Sequence, residues 1–340
     1  MAKKELKKFD SINGLRMIAC FGIILMHVKA NINFSIPYNW LNIFISEFTN
    51  FVFLFMVISS FGMCCGYFEK VRNNEISPEK FYSKRILKVL PFFLCLLLLD
   101  VIINHDFSTL IEAFANSTLM FSLLSKDFNV LGVAWFLGLV FIFYFMFPFF
   151  TYLFSNKKRA WITTFVAVLM NFSCINYFDV GRTNMFYSFI YFCVGGLLYL
   201  YKEQIINFFN NKKIFNLLFI LVSLILYFIL PMKNGYLFLL RMLLVLVSLL
   251  IYAISFKSQI LDNKFTKFIG NISMEMYLCH MVIFRIVEKM NLLHLFDNNL
   301  LSYIFASIIV ILGSICTAIV FQKFWNYICK KVLKYENFIS

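Results

Sequence analysis

Ten mostly apolar stretches recur along the chain, at 12–30, 44–67, 86–103, 132–154, 160–177, 184–201, 214–231, 236–256, 268–288 and 301–326. Each approaches the roughly 20 apolar residues that a membrane-crossing helix needs. The runs from Leu217 to Leu230 and from Leu237 to Leu250 are continuous, whereas Arg16 interrupts the first stretch and 160–177 is more polar. The stretch 107–125 (Phe107, Leu110, Ile111, Phe114, Leu119, Phe121, Leu123, Leu124) is shorter and carries Glu112. It predicts a helix lying in the membrane interface rather than an eleventh span. The pattern predicts an all-α polytopic membrane protein with about ten transmembrane helices, forming a single domain over residues 1–340.

Composition agrees. Of 340 residues, 61% are hydrophobic and 14% charged, with 46 Phe, and mean hydropathy is +0.81. A soluble chain runs nearer 45–50% apolar and about 25% charged. A disordered chain, a coiled coil and a secreted disulfide scaffold are excluded.

The net charge of +14 would suggest nucleic acid in a soluble protein. Its distribution says otherwise. Lys3, Lys4, Lys7 and Lys8 precede the first stretch. Lys70, Arg72, Lys80, Lys84, Arg85 and Lys88 cluster at the second connection. Lys157, Lys158 and Arg159 fill the fourth, Lys202, Lys212 and Lys213 the sixth, and Lys257, Lys264 and Lys267 the eighth. Lys323, Lys330, Lys331 and Lys334 close the chain. These are 23 of the 31 cations, on alternate connections. Cytoplasmic loops of membrane proteins carry such an excess. The pattern therefore predicts both termini in the cytoplasm, a multi-pass protein of the cell (plasma) membrane in contact with lipid, and no nucleic-acid partner. A signal peptide over 1–30 is not expected, because Arg16 breaks the apolar run and no small-residue cleavage site follows. The nine Cys lie almost entirely within the stretches without C-x-x-C or His spacing, so buried thiols and no metal are expected.

Ionisable residues within spans are costly and mark sites by default. Here they are Arg16, His27, Asp100, Arg241, Glu275, His280 and Arg285. Eleven residues separate Arg16 from His27, about three helical turns, so both face one way at about 16 Å apart along the axis. Singly, Arg16 fits a cation reaching for the interface, and His27 a hydrogen-bonded packing residue. Together they suit a long donor. Arg16 would hold a phosphate group near the cytoplasm, and His27 would exchange a proton deeper in. Lys84, Arg85 and Lys88, just before the third span, fit either ordinary loop charge or a phosphate clamp. Ser273, Tyr277 and His280 follow i, i+4, i+7 and share a helix face, as a polar lining or a hydrogen-bonded seam, with Glu275 pointing elsewhere. Asp100, Arg241 and Arg285 fall toward the outer side, either pairing structurally or lining an acceptor cavity.

At these residues the chain resembles the acyltransferase family 3 membrane proteins. Asn13-Gly14-Leu15-Arg16 through His27 resembles the family's D-G-L-R start and R-x10-H motif. Phe55 to Phe61 resembles its F-F-V-I-S-G-F span, and Lys84-Arg85-Ile86-Leu87-Lys88 through Pro91 its R-R-x-x-R-x-x-P segment. Ala134-Trp135-Phe136-Leu137 with Tyr144 and Pro148, then Phe192 with Gly195, follow in the family's order. Ile272 to His280 resembles its I-S-x-x-x-Y-L-x-H signature. Asn13 stands where Asp is common, Ser60 replaces Gly, and Val140, Phe141 and Ile142 stand where many members carry an acidic W-x-x-x-x-E-E-Q-F-Y run. No fused esterase-like domain is expected, since the chain ends soon after the tenth stretch.

The resemblance implies an O-acyltransferase that moves an acyl group, most often acetyl, from acyl-CoA to a hydroxyl of a carbohydrate or lipid-linked, cell-surface glycan. It implies His27 as the catalytic residue and Arg16 as a donor-binding one, with Lys84, Arg85 and Lys88 beside it. Trp135, Ser273, Glu275, Tyr277, His280, Asp100, Arg241 and Arg285 are the expected substrate-facing or supporting residues. Acetyl-CoA serves as co-substrate, no metal is needed, and a homo-oligomer is left open. The rival is a transporter or flippase of a glycan or small anion without acyl chemistry. Such proteins often pair broken helices in repeated halves, which the sequence does not show.

Overall fold

The protein is described by a computed structural model, over residues 9–123, 132–229 and 235–331. Lys3, Lys4, Lys7, Lys8 and Lys334 of the charge pattern lie outside the described residues. So do Leu124 at the end of the predicted interfacial stretch and Leu230 at the end of the seventh.

The described residues are helical, with no strand among them. In order the helices are α1 (Ser11–Asn31), α2 (Asn39–Glu47), α3 (Phe51–Arg72), α4 (Pro78–Asn104), α5 (Phe107–Ser117), α6 (Trp135–Phe145), α7 (Phe147–Leu153), α8 (Lys157–Asn176), α9 (Met185–Phe209), α10 (Lys213–Ile229), α11 (Tyr236–Ser255), α12 (Lys264–Lys289) and α13 (Asn299–Lys331). Every apolar stretch carries a helix, because in hydrocarbon a spanning backbone must satisfy its own hydrogen bonds.

Among the described residues, six spans are long and apolar enough to cross a membrane: α1, the run Asn39–Arg72, α4, α9, α11 and α13. Helices α6 and α7 make a seventh if counted as one, bent by 57°. The remaining three of the ten expected stretches differ for local reasons. Helix α10 is apolar but only 17 residues long. Helix α8 opens on Lys157, Lys158 and Arg159, and α12 carries Lys264, Lys267, Glu275 and Arg285. Helix α5, with 11 residues, is about 16 Å long, too short for a hydrocarbon core of about 30 Å. It leaves Phe107, Leu110, Ile111 and Phe114 exposed on one face. Leu98, Leu99, Ile102 and Ile103 of α4, and Phe165, Leu169 and Phe172 of α8, are exposed too. Such apolar surface is a liability in water and an ordinary boundary in lipid.

The chain divides into two compact units. The first holds the described residues of Met1–Leu15, Phe53–Pro78 and Leu139–Lys267. In it α8 packs on α9, α9 on α11, and α11 on α10. Helix α3 joins α9 where Ser60 Oγ donates to the Phe192 carbonyl oxygen at 2.6 Å and Phe53 stacks on Tyr191 at 4.1 Å. Gly195 permits this approach: a Cβ there would lie 2.4 Å from the Val57 carbonyl oxygen. Close helix contact through small residues is how apolar helices associate where burial from water supplies no drive.

The second unit holds the described residues of Arg16–Val52, Glu79–Gly138 and Phe268–Ser340. Here α1 and α12 run parallel and in register. Cys20 Sγ donates to the Ser273 carbonyl oxygen at 3.4 Å, and seven residues on along each helix His27 meets His280. Helix α13 ties in through Tyr303, whose hydroxyl donates to the Leu25 carbonyl oxygen at 3.1 Å. Helix α4 reaches α13 through Phe92 and Phe321, 4.8 Å apart.

Candidate active site

Helix α1 supplies Arg16 and His27, both half-buried and both in the second unit. Their spacing of three turns is intrinsic to the helix. The fold decides what stands at each end.

At the His27 end stands His280. The ring centroids are 5.1 Å apart at 45°. His280 is fully buried, and its Nδ1 lies 2.6 Å from the Tyr277 carbonyl oxygen. A carbonyl oxygen only accepts, so Nδ1 carries the proton. Nε2 then bears a lone pair, and it has no hydrogen-bond partner among the described residues. Tyr277 lies beneath this pair, its ring 5.8 Å from that of His280 and 5.3 Å from that of Phe136. The Tyr277 hydroxyl donates to the Val133 carbonyl oxygen at 2.8 Å, which locks α12 onto the start of α6. Trp135 is half-buried there, edge-on to Phe136, and its carbonyl accepts from Ser122 Oγ at 3.3 Å.

At the Arg16 end, the charges of Arg16, Arg85 and Glu275 all bear on Lys88. Lys88 is exposed and Arg85 half-buried. Glu275 is buried; its Oε1 accepts from Gln322 Nε2 at 3.0 Å, and its Oε2 has no hydrogen-bond partner among the described residues. A buried carboxylate is costly unless opposite charge and hydrogen bonds offset it, and here the Lys88 ammonium and the Gln322 amide act in that sense. Among the described residues the candidate site thus has two poles, a basic one with one carboxylate and an imidazole pair, about 16 Å apart along α1.

A family model for an acyltransferase domain matches residues 9–319, nearly the whole chain. The chain belongs to acyltransferase family 3. Comparison with curated proteins and with solved structures gives no match.

This acyltransferase family 3 protein brings together most of the residues that the sequence singles out. Arg16, Arg85, Lys88 and Glu275 share one pole, and His27, His280 and Tyr277 the other. Glu275 leaves the Ser273–Tyr277–His280 face, as expected, and turns to α13. Ser273 is buried and spends its hydroxyl on the Gly270 carbonyl oxygen of its own helix, at 2.9 Å. Lys84 is exposed, one residue before Arg85.

Arg241, Asp100 and Arg285 each have their own surroundings within their unit. Arg241 belongs to the first unit, where Nη1 donates to the Tyr227 carbonyl oxygen at 2.7 Å and the guanidinium covers the rings of Tyr227 and Phe238. It serves the last turn of α10, where a cation suits the carbonyl end of a helix. Asp100 belongs to the second unit and accepts from Asn104 Nδ2 at 3.0 Å. Arg285 is exposed.

Sequence reasoning passed over Gln322, because it sought only ionisable residues. The signal was present: a lone amide after the apolar run Ala318-Ile319-Val320-Phe321.

Proposed function

We propose that this protein transfers an acyl group, acetyl by preference, from acyl-CoA to a hydroxyl of a carbohydrate or cell-surface glycan. The observation that carries the reading is the two-pole site on α1. Arg16 with Arg85 and Lys88 offers the cations that a coenzyme's phosphates need. His27, three turns along and half-buried, offers a base at the distance a long pantetheine arm would span.

The excess of Lys and Arg on alternate connections supports a cytoplasmic side for the Arg16 pole, where acyl-CoA is available. His27 takes the proton of the acceptor hydroxyl. The resulting alkoxide forms a bond to the thioester carbonyl carbon, and the carbon–sulfur bond breaks. The departing thiolate takes back the proton from His27, which returns to its neutral form. A competing sequence, in which His27 itself carries the acyl group, would show ping-pong kinetics. A transport-only protein would favour paired broken helices. Among the described residues one pair is bent, α6 with α7.

The test has two parts. Mass spectrometry of surface glycans with and without the protein should reveal a missing acyl mass in its absence. Purified protein with labelled acetyl-CoA should transfer label to that glycan. Flux of substrate without any transfer would overturn the reading in favour of transport.

A further inference from the structure

We propose that His280 is a positioning residue that holds His27 in one tautomer, by accepting an N–H from the His27 ring at its own Nε2. The inference rests on the reading of His27 as the base and adds how that base is oriented.

The argument begins with the backbone. Nδ1 of His280 is tied to the Tyr277 carbonyl oxygen at 2.6 Å. That bond fixes the tautomer and turns Nε2 into a pure acceptor. The ring is fully buried, so no bulk water reaches it. A buried acceptor without a donor costs about 1–3 kcal/mol, yet Nε2 has no partner among the described residues. The ring beside it is that of His27, 5.1 Å away between centroids. Hydrogen bonds of catalytic groups are often long in substrate-free structures and tighten when substrate binds. A modest turn of the His27 ring supplies the donor that Nε2 lacks.

The consequence falls on the opposite nitrogen of His27. With one N–H committed to His280, the other nitrogen must carry the lone pair, and it faces away from the buried ring. That is the nitrogen able to accept a hydroxyl proton. Once His27 has taken the proton, the N–H to His280 persists and keeps the imidazolium ring in place. The orienting logic is that of a carboxylate behind a catalytic imidazole, but the orienting group here is a neutral ring. Among titratable groups, His27 on α1 bears on His280 electrostatically, and the Tyr277 ring stands 5.8 Å away on α12. The Tyr277 hydroxyl is already committed to Val133, so it does not compete for Nε2.

The supporting frame fits this role. The Cys20–Ser273 bond sets α1 and α12 in register seven residues earlier on each helix. The Tyr277–Val133 bond pins α12 one turn before His280. Both rings are thus carried on clamped helices rather than on loops.

The experiment uses purified full-length protein with labelled acetyl-CoA and the acceptor. For His280→Ala, kcat should fall about 10- to 100-fold, the usual effect of losing an orienting partner. KM for acetyl-CoA should stay within twofold of wild type, and the acidic limb of the pH–rate profile should move. His280→Gln, whose side-chain carbonyl accepts a hydrogen bond, should recover most of the lost rate. Should the Ala variant fail to fold, His280→Met fills the space without a comparable acceptor and takes its place in the comparison with Gln. Folded Ala or Met variants with wild-type rate and pH profile would overturn the inference. So would a Gln variant as slow as they are at equal thermal stability. His27→Ala, run alongside, separates the two readings. If it abolishes transfer while the His280 variants behave as wild type, only the positioning role falls. If it transfers normally, the base assignment falls first.

Discussion

Cys20 and Ser273 are joined by a hydrogen bond of 3.4 Å between helices α1 and α12, in the same register that brings His27 to His280 seven residues later. Two residues beyond Ser273, Glu275 turns to the basic pole. One pair of parallel helices therefore carries both ends of the site.

His27→Ala should lower transfer from labelled acetyl-CoA by about 10²- to 10⁴-fold, the range for losing a general base. Single-turnover rates on protein that melts like wild type give the check. A near wild-type rate would remove His27 from the role.

Arg16→Ala should weaken donor binding by about 10- to 100-fold, because a hydrogen bond to a charged group contributes about 1.5–3 kcal/mol. Calorimetric titration with acetyl-CoA measures it directly. Unchanged affinity would mean that Arg85 and Lys88 hold the phosphates without it.

Among the described residues, Glu275 is the anion whose charge bears on Lys88 together with those of Arg16 and Arg85. Glu275→Gln should leave those cations less compensated and tighten donor binding by about two- to fivefold. Raising salt should erase most of the difference. Weaker binding in the variant would instead assign Glu275 a direct contact with the donor.

Tyr277→Phe removes the hydroxyl that satisfies the Val133 carbonyl oxygen in a buried setting. The loss should cost about 1–3 kcal/mol and lower the thermal midpoint in detergent. An unchanged midpoint would show that this bond does not hold α12 to α6.

Gly195→Ala would set a methyl 2.4 Å from the Val57 carbonyl oxygen and 2.6 Å from Ser60 Cβ. Overpacking of this kind costs about 1–3 kcal/mol. Thermal unfolding should report it, while donor affinity of the folded protein stays at the wild-type value, since the atoms nearest that methyl belong to Val57, Ser60 and Phe61.

Apolar runs, a helical repeat of 3.6 residues and the placement of Lys and Arg are local properties, and the sequence by itself determined what they control. It determined an all-helical fold with a helix on each predicted stretch, and the short α5 between longer neighbours. It also determined the shared face of Arg16 and His27, because three turns of one helix separate them wherever that helix packs. Tertiary structure alone decided the partners of those residues. His27 meets a ring 253 positions away in sequence, Glu275 meets Gln322 of α13, and Arg241 turns to Tyr227 of α10. No periodicity encodes such pairings. Helices whose surfaces are equally apolar are sorted by close packing and by a few buried hydrogen bonds, and those contacts exist only once the helices have met.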